Sequence, residues 1–172
     1  MIETTRISVG YDENEDRIFI DCSDGKAACR LWLTRRITER LLSALVNVLE
    51  RSSPRLLRTP AEMRLDVIAF EHLSAINRPE PAAPATGADQ AMIDTGAVLL
   101  HRVDVEVTPQ AFRVLFHSTT EPRAGLTIDR TELHKTLALL DQCATAAEWD
   151  VGGATEWLRR ADAPIAPDKF AS

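Results

Sequence analysis

LWLTRRITERLLSALVNVLE, residues 31–50, decides how the rest of this chain is read. Its first three residues close an apolar strand. Thr34 then suits the N-cap of a helix, where a hydroxyl can accept from a first-turn N–H that has no carbonyl partner. Ile37, Leu41, Leu42, Leu45, Val48 and Leu49 follow at helical spacing and form one apolar stripe, with Arg36, Arg40, Ser43, Asn47 and Glu50 roughly opposite. Ser52, Ser53 and Pro54 end the helix.

Upstream, residues 6–11 (RISVGY) alternate apolar and polar side chains as a strand does, and 17–22 (RIFIDC) repeat that character after the acidic turn DENED. Asp24-Gly25 marks a tight hairpin, because both residues tolerate the positive φ such turns require. Residues 27–33 make a third strand. The unit is therefore three antiparallel strands and a helix.

Downstream, Thr59, Pro60 and Glu62 have the spacing of a capping box opening a second helix. Its expected apolar stripe is Met63, Val67, Phe70 and Ser74, widened by Ile68 and Leu73, and it should end near Asn77, before Pro79. Residues 78–90 (RPEPAAPATGADQ) read as a Pro/Ala linker. Strand patterns then return at 97–108, 111–117 and 125–128, followed by Asp129 as an N-cap with Glu132 in the capping-box position. Leu133, Leu137, Leu140 and Cys143 form that helix's face, Gly152-Gly153 is its expected break, and a short amphipathic piece surrounds Trp157 and Leu158.

An offset of 96 places Arg6-Ile7-Ser8-Val9 on Arg102-Val103-Asp104-Val105, and Arg17-Ile18-Phe19-Ile20 on Arg113-Val114-Leu115-Phe116. Around the caps the offset is 95, matching Thr34-Arg35 to Asp129-Arg130. A sheet-and-helix unit of about 45 residues is marginal alone. The expected fold is thus α+β: two βββα-like repeats with antiparallel sheets, helices on the inner sheet faces, and a pseudo-two-fold. The expected division is 1–77, the linker 78–90, and 91–172, all within one compact domain.

The 172 residues carry a net charge of −6, which gives no global attraction to nucleic acid or anionic membrane. The first residues lack the features of a signal peptide, and no run approaches the roughly 18 apolar residues of a membrane span. Cys22, Cys29 and Cys143 are expected to be reduced and buried, in a cytoplasmic setting.

His72, His101, His117 and His134 have no metal-ligand spacing, and no nucleophile, phosphate-loop or carboxylate-pair motif occurs, so no catalytic residue, metal or cofactor is assigned. The least ordinary feature is arginine. Arg35 and Arg36 fall in the first turn of a helix, where the dipole disfavours cations, and Arg130 repeats the position. Such a placement is tolerated if Glu39 screens the pair at i+4 and i+3, or if a carboxylate from elsewhere or an external anion is nearby. With Arg30, Arg40, Arg55 and Arg58 these residues are the candidate partner- or anion-binding set. Trp32, Trp149 and Trp157 are the candidate interface aromatics.

The preferred expectation is a non-enzymatic protein-binding, adaptor or assembly protein presenting a surface between its halves to an acidic protein or to a second copy of itself. The alternatives are a nucleic-acid module using residues 30–58, and a small-ligand binder or enzyme with a pocket between the halves, using His101 and His117. Scarce aromatics for base stacking weigh against the nucleic-acid reading.

Overall fold

A computed structural model describes residues 1–79 and 97–161. Most of the expected linker and the tail after residue 161 lie outside the described residues. The first half runs β1 (Ile2–Thr4), β2 (Arg6–Asp12), β3 (Arg17–Ser23), β4 (Ala28–Leu33), α1 (Arg35–Ser52), α2 (Pro54–Arg58) and α3 (Arg64–Ile76). The second runs β5 (Val98–Leu99), β6 (Arg102–Val107), β7 (Phe112–His117), β8 (Pro122–Ile128), α4 (Arg130–Ala146) and α5 (Glu156–Ala161). The class is α+β, as expected.

Two four-stranded sheets form, ordered β2-β3-β4-β5 and β6-β7-β8-β1. Each has an antiparallel three-stranded meander from one half and, on its last strand, a short parallel strand from the other half. Ile2, Glu3 and Thr4 pair with Ala124, Gly125 and Leu126, while Val98 and Leu99 pair with Leu31 and Trp32. The chain changes sheet within one residue at both places. Thr4 lies on β8, whereas the Thr5 N–H donates to the Ser23 carbonyl at 2.9 Å. Leu100 donates to Trp32 at 2.8 Å in one sheet, and His101 to His117 at 2.8 Å in the other. The single strand expected over 97–108 is broken at this crossing.

α1 and α4 pack against each other, and each also lies against an edge strand of the opposite half's sheet: α4 on β2, α1 on β6. One interior is shared: Ile7, Ile20, Leu41, Leu45, Val114, Phe116, Leu126, Ile128, Leu133 and Leu140 converge on a single small void. Most of these residues are buried and belong to one cluster spanning both sheets and both helices.

Local chemistry explains the ends of the helices. The Ile37 N–H donates to Thr34 Oγ1 at 3.4 Å, and Asp129 and Glu132 make a complete capping box. The capping box expected at Thr59 does not form. Ser53 instead caps the short helix α2, with Pro54 in its first turn, and the Thr59 hydroxyl donates back to the Arg55 carbonyl at 2.8 Å. α3 begins only at Arg64, after a 3₁₀ turn. Its buried residues are Ile68, His72 and Ala75, so the expected stripe through Met63 and Phe70 faces the wrong way. Ile68, the margin of that expected stripe, is the part of it that is buried, and His72 is turned inward by its contacts with His134 on α4 and Trp157 on α5.

α4 stops before Gly152. Glu148, at φ +54°, takes the left-handed position, with Glu148 N–H to Thr145 carbonyl at 3.0 Å and Trp149 N–H to Ala144 carbonyl at 2.9 Å. This is a Schellman termination in which glutamate stands where glycine is usual. Among the described residues no helix is long and apolar enough to cross a membrane.

Candidate functional site

The arginines at the two helix starts show why a cation is tolerated there. Arg130, the first residue of α4, donates through Nη2 to the Leu49 carbonyl at 2.9 Å and through Nη1 to Ser52 Oγ at 2.9 Å, both near the C-terminal end of α1. Arg35, the first residue of α1, donates through Nε and Nη2 to the Asp150 carbonyl at 3.1 and 2.8 Å, just beyond α4. The helices are therefore antiparallel. Arg130 sits at the negative end of α1, which offsets the repulsion from its own helix, while Arg35 is held by a single loop carbonyl beyond α4. Arg130 also meets the carboxylate the sequence called for: Glu71 Oε2 lies 2.7 Å from Nη2 and 3.2 Å from Nε.

Glu71 brings α3 into this junction and forms part of a cleft of about 420 Å³ lined by Arg55, Phe70, Glu71, Ser74, Ala75, Arg78, Arg130, Thr131 and His134. Three guanidinium groups face one carboxylate, so the cleft is cationic on a chain of net charge −6. No carboxylate among the described residues pairs with Arg55 or Arg78. Phe70 is 66% exposed at the rim.

Behind the cleft two histidines are buried together. His72 Nδ1 and His134 Nδ1 are 3.3 Å apart, and the His72 and Trp157 rings lie nearly perpendicular with 5.5 Å between centroids. Burial first, then His72 and Arg130, lowers the His134 pKa to about 3, so this ring is neutral at ordinary pH. One of the two facing nitrogens must donate and the other accept. His134 Nε2 lies 3.9 Å from Glu71 Oε2. A lone pair aimed at a carboxylate is repelled, so the consistent assignment puts hydrogen on His134 Nε2 and makes His72 the donor at Nδ1. Among the described residues that Nε2–H has no hydrogen-bond partner, since 3.9 Å is too long for one.

The other candidate residues are dispersed. Arg30 lies on β4, bidentate to Asp21 at 2.8 and 2.9 Å and stacked 3.9 Å over Phe19. Arg36 and Arg58 are exposed, and exposed Arg40 lines a separate hollow with His101 and Arg102. Along α1, Arg35 and Arg51 are about 24 Å apart at 1.5 Å per residue. Of the set, only Arg55 and Arg130 share a cleft.

Trp32 packs edge-on to Phe19, Trp149 packs edge-on to Tyr11, and Trp157 is buried. The His117 ring contacts Asp104 at 3.0 Å and Arg102 at 3.3 Å, and its carbonyl accepts from the His101 N–H. Cys22 and Cys29 are buried and directly opposite each other on β3 and β4, unbridged. A hydrogen bond with Cys29, then burial, pushes the Cys22 thiol up.

Glu71, Phe70, Arg78 and His134 were not singled out from sequence as cleft residues. The available signal was Arg130 itself, a helix-start cation requiring a carboxylate, though nothing in one sequence says which carboxylate. Among the described residues no cluster of side chains is arranged to hold a metal ion. Comparison with protein-family models, curated proteins and solved structures gives no match to this chain.

Proposed function

We propose that this chain is a non-enzymatic binding protein whose α2–α3 face receives an acidic, partly apolar segment of a partner protein. The observation that carries the reading is the exposure of Leu57 (66%), Met63 (53%), Leu65 (51%) and Phe70 (66%) within one short stretch. Met63 and Phe70 lie two helical turns apart on the side away from the buried Ile68, His72 and Ala75. An exposed concentration of large apolar side chains favours a protein contact. Arg55, Arg58, Arg64 and Arg78 stand along the same segment and favour a negatively charged occupant, although Glu62 and Asp66 limit that bias. This is the outer side of α3, whose inner side, through His72, leans on α4 from the second half. We read the two halves as copies related by a pseudo-two-fold.

The nucleic-acid alternative requires residues 30–58 to present one basic surface, and their dispersal argues against it. The test compares capture by the wild-type chain with capture by Phe70→Glu and Arg55→Glu. An acidic protein held by the wild type, released by moderate salt and lost from both variants supports the reading. An unchanged set of captured proteins sinks it. Concentration-dependent dimerisation abolished by Phe70→Glu would replace the acidic partner with a second copy of the chain.

A further inference from the structure

We propose that the cleft between α2, α3 and the start of α4 is an oxyanion-binding site, and that Glu71 is its displaceable internal anion. The ligand class is a small organic carboxylate or phosphate with an apolar body. The cleft shares Phe70, Arg55 and Arg78 with the face proposed for a partner, but the inference is argued from Arg130, Glu71 and His134, on which the partner reading does not draw.

The donors come first. Arg130 presents Nε and Nη2 as a fork, the geometry that recognises a carboxylate or phosphate edge-on, and a single Glu71 oxygen now occupies it at 2.7 and 3.2 Å. Arg55 and Arg78 reach the same cleft from α2 and from beyond the end of α3, without carboxylate partners among the described residues. Ser74 and Thr131 line it with hydroxyls. Thr131 belongs to the first turn of α4, whose positive end adds to the field. Phe70 and Ala75 supply the apolar wall.

A helix start with arginines would be an ordinary structural junction without His134. This residue is only 2% exposed, and its Nε2 hydrogen is unsatisfied among the described residues. A buried donor without a partner costs free energy and calls for an explanation. Its position supplies one. Nε2 lies 3.9 Å from the Glu71 oxygen that holds Arg130, so a movement of about 1 Å brings that oxygen into hydrogen-bond range. An arriving oxyanion can therefore take the Arg130 fork while Glu71 shifts onto His134 Nε2–H. The carboxylate leaves one donor for another and is never stranded, and the vacant hydrogen is the seat it moves to. The ligand's charge is met by Arg130 together with Arg55 and Arg78. The cleft volume, about 420 Å³, suits a small organic molecule.

The test is calorimetric and NMR titration of the full chain with inorganic phosphate, phenyl phosphate, acetate and benzoate. Saturable binding is expected for at least one oxyanion, tighter for the probe bearing a ring than for its bare headgroup. The preferred pair, phosphates or carboxylates, identifies the headgroup. On saturation the His134 Nε2 resonance should move as it gains the Glu71 hydrogen bond. Arg55→Gln with Arg78→Gln, both exposed and outside the core, should weaken binding at least tenfold with the fold intact. Glu71→Gln removes the competing charge and should tighten binding several-fold, the opposite sign to that of a residue needed only for structure. The proposal is overturned if none of the four probes saturates the wild-type chain. Binding indifferent to the double arginine variant, or weakened by Glu71→Gln in a folded protein, overturns it equally.

Discussion

Single residues carry opposite weights according to what their partners would lose. Arg130 joins three helices through Glu71, Ser52 and Leu49, and its side chain is 29% exposed. Arg130→Gln leaves a half-buried carboxylate and a carbonyl without their donor. We expect a loss of about 2 kcal/mol in chemical denaturation, below the full cost of a deeply buried pair because solvent reaches part of it. Arg35 makes the mirrored clasp from an exposed position, and Arg35→Gln should cost less than about 1 kcal/mol. Equal losses would refute the ranking. Glu148 works in the other direction: its φ of +54° strains any residue with a Cβ. Glu148→Gly should stabilise by about 0.5–1 kcal/mol, read as a raised Tm. His134 sets a pH window. Its pKa is about 3 when folded and near 6.5 when unfolded, so between those values only the unfolded chain takes up the proton. Its contribution is fully present above about pH 6.5 and is lost progressively as pH falls toward 3. The difference in Tm between wild type and His134→Gln should shrink or reverse across that window, and a pH-independent difference would contradict the assignment.

At the scale of elements, caps separate the helices that sequence predicts well from the one it does not. Asp129 and Glu132 exchange hydrogen bonds at 2.8 and 2.7 Å, so Asp129→Ala should cost about 1 kcal/mol. Thr59→Ala, at the spacing of an equally good box, removes only a bond within α2 and should cost a few tenths of that. Paired urea denaturation curves check the contrast. The two longest helices and six strands were legible because period and caps agree in them: Thr34 with the stripe through Leu41 and Leu45, Asp129 with Leu133, Leu137 and Leu140. α3 was misread in part because its helical period was counted from Met63, which puts Phe70 at the centre of the stripe and Ile68 only at its margin. The actual inner face holds Ile68, Ala75 and a histidine whose partner, His134, comes from another helix. β1 was invisible because three residues are too few to show a period, and β5, two residues long, was read only as the start of one strand running on into β6. The cleft lay beyond sequence as well. Glu71 next to His72 suggests no acid–base pair, because adjacent helical residues diverge, and its real partner is 59 positions away.

For the whole molecule, the exchange of β1 and β5 is the consequential feature. Neither meander keeps its own short strand: β1 closes the sheet of the second half, and β5 that of the first. The exchange adds to what the helices already do, since α4 lies on β2 and α1 on β6 around one interior. Energy lost in either sheet is therefore felt in both, because no surface separates two cores. Removing residues 1–5 deletes β1 and the Thr5–Ser23 bond while leaving both meanders and both long helices in the sequence. Two independent units would answer by exposing only β8, the strand on which β1 pairs. A shared core predicts a uniform answer instead: one cooperative transition at lower denaturant, with hydrogen-exchange protection in β3 and β4 falling by the same factor as in β7 and β8. Protection retained in β3 and β4 while β7 and β8 lose it would mean the halves hold their folds separately, and the unity inferred from the crossed strands would fail.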